Sequence, residues 1–272
     1  DDWFEYTLDI SDFTIITARL QPYLTDAPDG DGQVLKTGRY RWNWEKKSNK
    51  VLTDDYGRVL ELVQAMNETN AADFLAKANA LLDVDAWAGM IALRHAVCDW
   101  DGYGYARGKN AYAYKPAEGR WRLLLWDLDF SLGNYSSHAV DTGIFHEIND
   151  PVISNKFLGT AQFRRADLQA VKRIAEDAMW GANVNPVCAA NYAALTANGV
   201  SAYPPDDLEA WIGLRRAYLL SQVGAYEAPF AVSNNGGADF STNRNGIVLQ
   251  GLAPLDVRSL LINGAIYTPS WD

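Results

Sequence analysis

Between residues 56 and 97 apolar positions recur three and four apart: Tyr56, Val59, Leu60, Val63 and Met66, then Phe74, Leu75, Ala78 and Leu82, then Trp87, Met90, Ile91 and Arg94. That period predicts three amphipathic helices. The first follows Thr53 and the acidic pair Asp54-Asp55, the second starts near Asn70, and the third follows Asp83 and runs to about Val97. Short polar and acidic side chains at such places satisfy the open N–H groups of a helix start. Helical patterns recur near residues 160 to 180, 186 to 197 and 205 to 226, the last with Leu208, Trp211, Ile212, Arg215, Tyr218 and Leu219 on one face.

Elsewhere the period shortens. Ala111 to Lys115 and Arg120 to Trp126 are aromatic and aliphatic runs joined by Pro116-Ala117-Glu118-Gly119, which predicts a β-hairpin. Residues 1 to 50 read as strands and loops, with a plain turn at Asp29-Gly30-Asp31-Gly32 that lacks the outer acids of a calcium loop. After Pro229 the composition changes. Residues 229 to 272 contain no Lys and only five charged residues, while Asn and Gly supply ten of the 44, so a separate β module is expected. Asn245-Gly246 and Asn263-Gly264 predict hairpin turns beside the apolar runs Ile247 to Leu249 and Val257 to Ile262. The chain therefore divides into residues 1–228 and 229–272, the second a truncated immunoglobulin-like module short of its seven strands.

Composition narrows the class. With 272 residues, 48% of them hydrophobic and 21% charged, the chain can bury a large core. Its 24 basic against 34 acidic residues leave a net charge of -10, which opposes nucleic acid and anionic lipid as partners. No apolar run is long enough to span a membrane. Cys98 and Cys188 read as free thiols, and His95 as a hydrogen-bonded, half-buried residue. His138 and His146 with Asp141 and Glu147 have no zinc-site spacing and read as surface residues.

The segment from Asp99 to Asn110 carries three glycines and interrupts the helical pattern directly after a buried helix, as functional loops do. The hairpin follows it, and the second strand ends in Asp127-Leu128-Asp129. On an ideal strand Asp127 and Asp129 share a face, and converging oxygens suit Mg²⁺. Asn110 opens the partner strand, within reach as a neutral ligand, while Asp101 stays near the metal but outside its first shell. Arg107 and Lys109 are candidates to neutralise phosphate. A loop Asp, a metal Asn, a hairpin and then a metal Asp is the phosphoryl-transfer plan of protein kinases. The nine-residue separation of Asp101 and Asn110, with no His-Arg before the Asp, excludes a standard kinase.

At Trp100-Asp101-Gly102-Tyr103, Gly108-Lys109-Asn110-Ala111-Tyr112-Ala113-Tyr114, Arg120-Trp121 and Trp126-Asp127-Leu128-Asp129-Phe130-Ser131-Leu132-Gly133 the chain resembles the CotH family of spore-coat-protein kinases. The resemblance spans roughly residues 35 to 180. It implies the helix-rich lobe of an atypical protein-kinase-like fold, α+β in class, which uses ATP and Mg²⁺ to phosphorylate Ser or Thr of a secreted or surface protein in bacteria. It also implies Asp101 as the catalytic carboxylate, Asn110 and Asp127 as metal ligands, and Asp129 as a further match. The family's upstream nucleotide-binding lobe is missing before Asp1. Gly30-Asp31-Gly32 with Lys36 is a poor substitute, since no strand pattern frames it. A chain without that lobe is expected to bind ATP weakly and to transfer no phosphate by itself.

Two other functions fit parts of the pattern. One is a non-catalytic kinase-like scaffold of a surface or adhesion protein, consistent with the aromatic richness and the Asn/Gly-rich tail. The other is a haloacid-dehalogenase-type phosphatase with Asp127 as nucleophile, which requires strands alternating with helices in a doubly wound parallel sheet.

Overall fold

The computed structural model describes residues 2–6 (as backbone), 20, 24–27, 30–36, 38, 40–41, 44–47, 56–104, 110–133, 138–146, 148, 150 and 152–272. Along them run strands β1 (Asp2–Tyr6), β2 (Leu24–Asp26), β3 (Gln33–Leu35) and β4 (Trp44–Lys46), then helices α1 (Gly57–Met66), α2 (Ala71–Leu81) and α3 (Val84–Ala96). The hairpin β5 (Ala111–Lys115) and β6 (Arg122–Leu125) is followed by a π-helical turn (Val152–Phe157), α4 (Ala161–Arg173), a second π-helical turn (Ile174–Ala178), α5 (Gly181–Ala197) and α6 (Asp206–Gly224). Short strands β7 (Ala231–Val232), β8 (Gly251–Leu252), β9 (Leu260–Ile262) and β10 (Ala265–Tyr267) complete the chain. The architecture is a mixture of helices and small antiparallel sheets, as the two periods predict.

Local chemistry starts the helices. The Asn70 side chain accepts the N–H groups of Ala72 and Asp73 at 2.9 and 3.1 Å, and Asp83 accepts that of Ala86 at 3.2 Å. Each thus satisfies donors that a helix start leaves open. The Thr53 and Asp54-Asp55 start lies outside the described residues; Tyr56 occupies the N-cap of α1 without a side-chain capping bond. Helix α5 begins at Gly181, five residues before the predicted start, because Trp180 O accepts the N–H groups of Asn183 and Val184 at 2.8 and 3.0 Å. Pro186 therefore lies inside the helix, where its ring nitrogen forgoes one intrahelical bond.

The central sheet has the order β4-β1-β5-β6 and is antiparallel throughout. Strand β1 joins the predicted hairpin by pairing Tyr6 with Ala111 and Asp2 with Lys115. An antiparallel sheet is the wrong scaffold for the phosphatase reading, which the described residues therefore do not support. Trp121 ties this sheet to the helices: its N–H donates to Leu81 O at 2.7 Å, and its carbonyl accepts Asp83 N–H at 2.9 Å and the Trp87 indole at 3.0 Å. Trp44, Trp87, Trp121, Tyr103, Phe157 and Phe163 fill the core between sheet and helices. Gly30 and Gly32 sit in the turn of a small β2–β3 hairpin, so strands do frame them, contrary to the sequence expectation.

In residues 229–272 the Asn263-Gly264 turn joins β9 to β10 as predicted, with Asn263 at φ 51°. At Asn245-Gly246 no hairpin forms; β7 pairs instead with β8, and Ile247 to Leu249 are exposed without strand partners. This segment packs on the helices through Leu255, buried with Leu168, Val171, Leu219 and Val223. Leu255 N–H donates to Glu227 at 3.0 Å, and Lys172 pairs with Glu227 and Asp256 at 2.7 and 2.5 Å. Arg258 bonds Asp85 at 2.9 Å.

Helix α4 buries one acid. Asp167 is fully enclosed, neither carboxylate oxygen has a hydrogen-bond partner, and burial lifts its pKa to about 8. Its ordinary value is 3.8, so between those values the folded state holds a proton that the unfolded chain releases. Stability therefore falls as pH rises through that window, by up to about 1.4 kcal/mol per pH unit from this group. Asp167→Asn removes the titration at constant shape. Urea unfolding at pH 5 and pH 8 is expected to show the variant gaining on the wild type as pH rises; parallel pH dependences would contradict this burial account.

Candidate active site

The site is built around a charged side chain on an apolar helical face. Arg94 lies one turn beyond Met90 and Ile91 on α3 and is 1% exposed. At the helix end Cys98 adopts φ 55°, which turns the chain back so that Asp99 N–H donates to Arg94 O at 2.9 Å. This turn delivers the Asp99 carboxylate to the Arg94 guanidinium, and the two form a fully buried ion pair. The other guanidinium nitrogen donates to the carbonyls of Asn110 and, at 3.1 Å, Trp126. One side chain thus joins the loop after α3, the first residue before β5 and the residue just past β6.

The hairpin register supplies the second half of the geometry. Ala111 pairs with Leu125, so Asn110 and Trp126 face each other one step further on and both present carbonyls to Arg94. Asp99 accepts the Asp101 N–H at 3.1 Å, and the Asn110 amide donates to Asp101 O at 3.1 Å and lies 3.5 Å from its carboxylate. Asp101 is 2% exposed, whereas Asp127 is exposed and near enough to act electrostatically on Arg94. The Trp100 ring packs on Phe130 at 5.2 Å, bringing the Asp101 loop against the Asp127 motif. Asp101, Asn110 and Asp127 therefore converge on one guanidinium.

Backbone strain concentrates here. Cys98, Asn110, Asp127 and Leu132 all have φ between 55° and 61°, a left-handed conformation that disfavours side chains other than Gly. The strain explains a failed expectation. Strand β6 ends at Leu125 and Asp127 turns the chain, so Asp127 and Asp129 are not alternate residues on one strand face. Asp129 lies exposed in the following turn. Arg107 and Lys109 lie outside the described residues. The edge-on rings of His138 and His146 meet at 4.8 Å, half-buried; Glu147 lies outside the described residues. His95 is more enclosed than expected, and burial, reinforced by Arg215 and Arg94, lowers its pKa to about 3, so it is neutral. Both cysteines are free thiols.

Burial pushes the Asp99 carboxyl up, and the facing Arg94 opposes that shift; burial likewise lowers Arg94 against the pull of Asp99, Asp101 and Asp127. Among the described residues, three carboxylates face this one guanidinium, a formal surplus of negative charge that a divalent cation would offset. The donor set fits Mg²⁺: an exposed carboxylate at Asp127 and the amide oxygen of Asn110, whose nitrogen is engaged by Asp101, are hard oxygen ligands. Among the described residues no three His, Cys, Asp or Glu side chains enclose a metal by themselves. Such a site suits an ion that keeps waters and takes phosphate oxygens.

Gly102 shows how tightly the centre is packed. A Cβ there would stand 1.7 Å from Arg94 Nη1, so any larger residue must expel the guanidinium from its ion pair. Gly102→Ala is expected to cost roughly 2–4 kcal/mol by overpacking and by stranding Asp99. Gly89 of the same helix region has open space and serves as the control, with Gly89→Ala expected to stabilise by about 0.5–1 kcal/mol. Equal denaturation midpoints for the two variants would contradict the packing assigned to Arg94.

No curated protein matches the chain. The sequence model of the CotH kinase protein family matches residues 25–212, well over half of the chain, including α1 to α5, the hairpin and all three converging residues. The chain belongs to the CotH kinase protein family.

Proposed function

We propose that this protein transfers phosphate from ATP, with Mg²⁺, to Ser or Thr of a protein substrate at a cell or spore surface. The observation that carries the reading is the gathering of a buried Asp101, Asn110 and an exposed Asp127 around Arg94. Asn110 and Asp127 would hold the metal, and Asp101 would orient the acceptor hydroxyl and take its proton. Mg²⁺ held there would supply positive charge that offsets the phosphate charge of a loose transition state. Arg94 fixes the Asp99 carboxylate and the backbone at Asn110 and Trp126 beforehand, and such preorganisation is where electrostatic catalysis gains most. Arg107 and Lys109 remain candidate phosphate contacts, and residues 1–228 and 229–272 are proposed as a kinase-like domain and an immunoglobulin-like module. Among the described residues no helix is long and apolar enough to cross a membrane.

The scaffold reading predicts the same fold without nucleotide dependence, and two variants separate them. In the full-length protein, calorimetric titration with Mg-ATP is expected to show binding lost in Asp127→Ala and kept in Asp101→Asn. Transfer of labelled phosphate to a Ser/Thr protein by the full-length protein is expected to fall by roughly 10²–10⁴ in Asp101→Asn, the range for removing a general base. Mg-ATP binding indifferent to Asp127, or none by the full-length wild type, would favour the scaffold.

A further inference from the structure

We infer that Arg215 of α6 is a positioning residue that locks the Asp101 loop to the segment downstream of Asp127; its effect on catalysis, though not its coupling role, rests on the kinase reading above. Arg215 lies beyond the family match, which ends at residue 212. It occupies the buried stripe Ile212, Arg215, Leu219 and Val223, and its side chain has no solvent exposure. An arginine buried at such cost must find its partners within the fold.

Its donors reach two segments that are far apart in sequence. Nε donates to Ala96 O at 3.1 Å and Nη2 to His95 O at 2.8 Å, both at the end of α3 just before the Cys98 turn. Nη1 donates to Val140 O at 2.9 Å and Thr142 O at 2.5 Å. The same guanidinium therefore holds the root of the Asp101 loop and the chain beyond the Asp127 motif at a fixed separation. Two further contacts run along this seam. Leu132 N–H donates to Val97 O at 2.8 Å, and at Gly133, φ 78°, a Cβ would meet the Trp211 indole nitrogen at 2.8 Å, so α6 presses directly on the segment. Carbonyl acceptors suit a positioning role: they fix where the backbone runs and add no charge that titrates near the site.

Native-state hydrogen exchange on the whole chain tests the coupling without any activity. In the wild type the amides of Asp99, Leu132 and Thr142 are expected to open together as one cooperative unit as denaturant rises. In Arg215→Lys, whose single ammonium cannot span the four carbonyls, those amides are expected to exchange at least about tenfold faster, while Phe74 in α2 and Leu82 at its C-cap change little. Separate opening of Asp99 and Thr142 in the wild type would overturn the proposal, as would uniform acceleration across the chain in the variant. For transfer of labelled phosphate by the full-length protein, kcat is expected to fall at least about tenfold in Arg215→Lys with KM for Mg-ATP unchanged; a rise in KM alone would also overturn it. If the full-length wild type transfers no phosphate, the kinase reading fails while the exchange experiment still decides the coupling.

Discussion

The Arg94 guanidinium sits between the end of α3, the loop that follows it and the two ends of a β-hairpin, and everything of chemical interest in this chain is arranged around it. Burying such a cation without partners is prohibitive, and even a good ion pair recovers only part of the desolvation cost. Arg94 is held by Asp99 together with the carbonyls of Asn110 and Trp126, so its charge is met by groups from three segments at once. Removing any one leaves the others facing an unsatisfied charge. That mutual dependence couples the turn after α3 and the two hairpin ends into one frame.

The frame explains where strain is tolerated. Asn110 and Asp127 flank the hairpin in left-handed conformations, which Asn and Asp tolerate better than other side chains but still at a cost relative to Gly. The Arg94 contacts to the adjoining carbonyls overdetermine both positions, which is the condition under which backbone strain persists at functional sites. The return is geometric: Asn110 faces the buried Asp101, while Asp127 stays open to solvent where a hydrated cation and a phosphate can approach. The aromatic core behind them, anchored by Trp121 and Trp87, makes α3 a fixed base for the loop.

Sequence period made α1 to α3 and the β5–β6 hairpin legible, because local spacing alone fixes an amphipathic face and a short turn. The order of Asp101, Asn110 and Asp127 was legible for the same reason. Arg94 could be placed on a buried face by its spacing, but its partners depend on the left-handed turn at Cys98, which no pattern announces. The pairing of β1 with β5 joins residues a hundred positions apart, beyond any local signal. Asp127 and Asp129 were misread as sharing a face because strand alternation was carried past Leu125, where the strand stops. Asn245-Gly246 failed as a hairpin since the polar run before it offers Ile247 to Leu249 no strand to pair with, whereas Asn263-Gly264 has apolar runs on both sides.

The central claim is that a buried guanidinium fixes a loop acid, an amide and an exposed carboxylate around one divalent-cation position. Anomalous diffraction from crystals soaked with Mn²⁺ and a non-hydrolysable ATP analogue tests it most directly. The account predicts a single strong peak ligated by Asn110 Oδ1 and the Asp127 carboxylate, about 2.1–2.2 Å from each, with Asp101 outside the first shell and Arg94 still paired to Asp99. A peak bound elsewhere, or Asp127 turned away from Asn110 while the ion pair is intact, would contradict it.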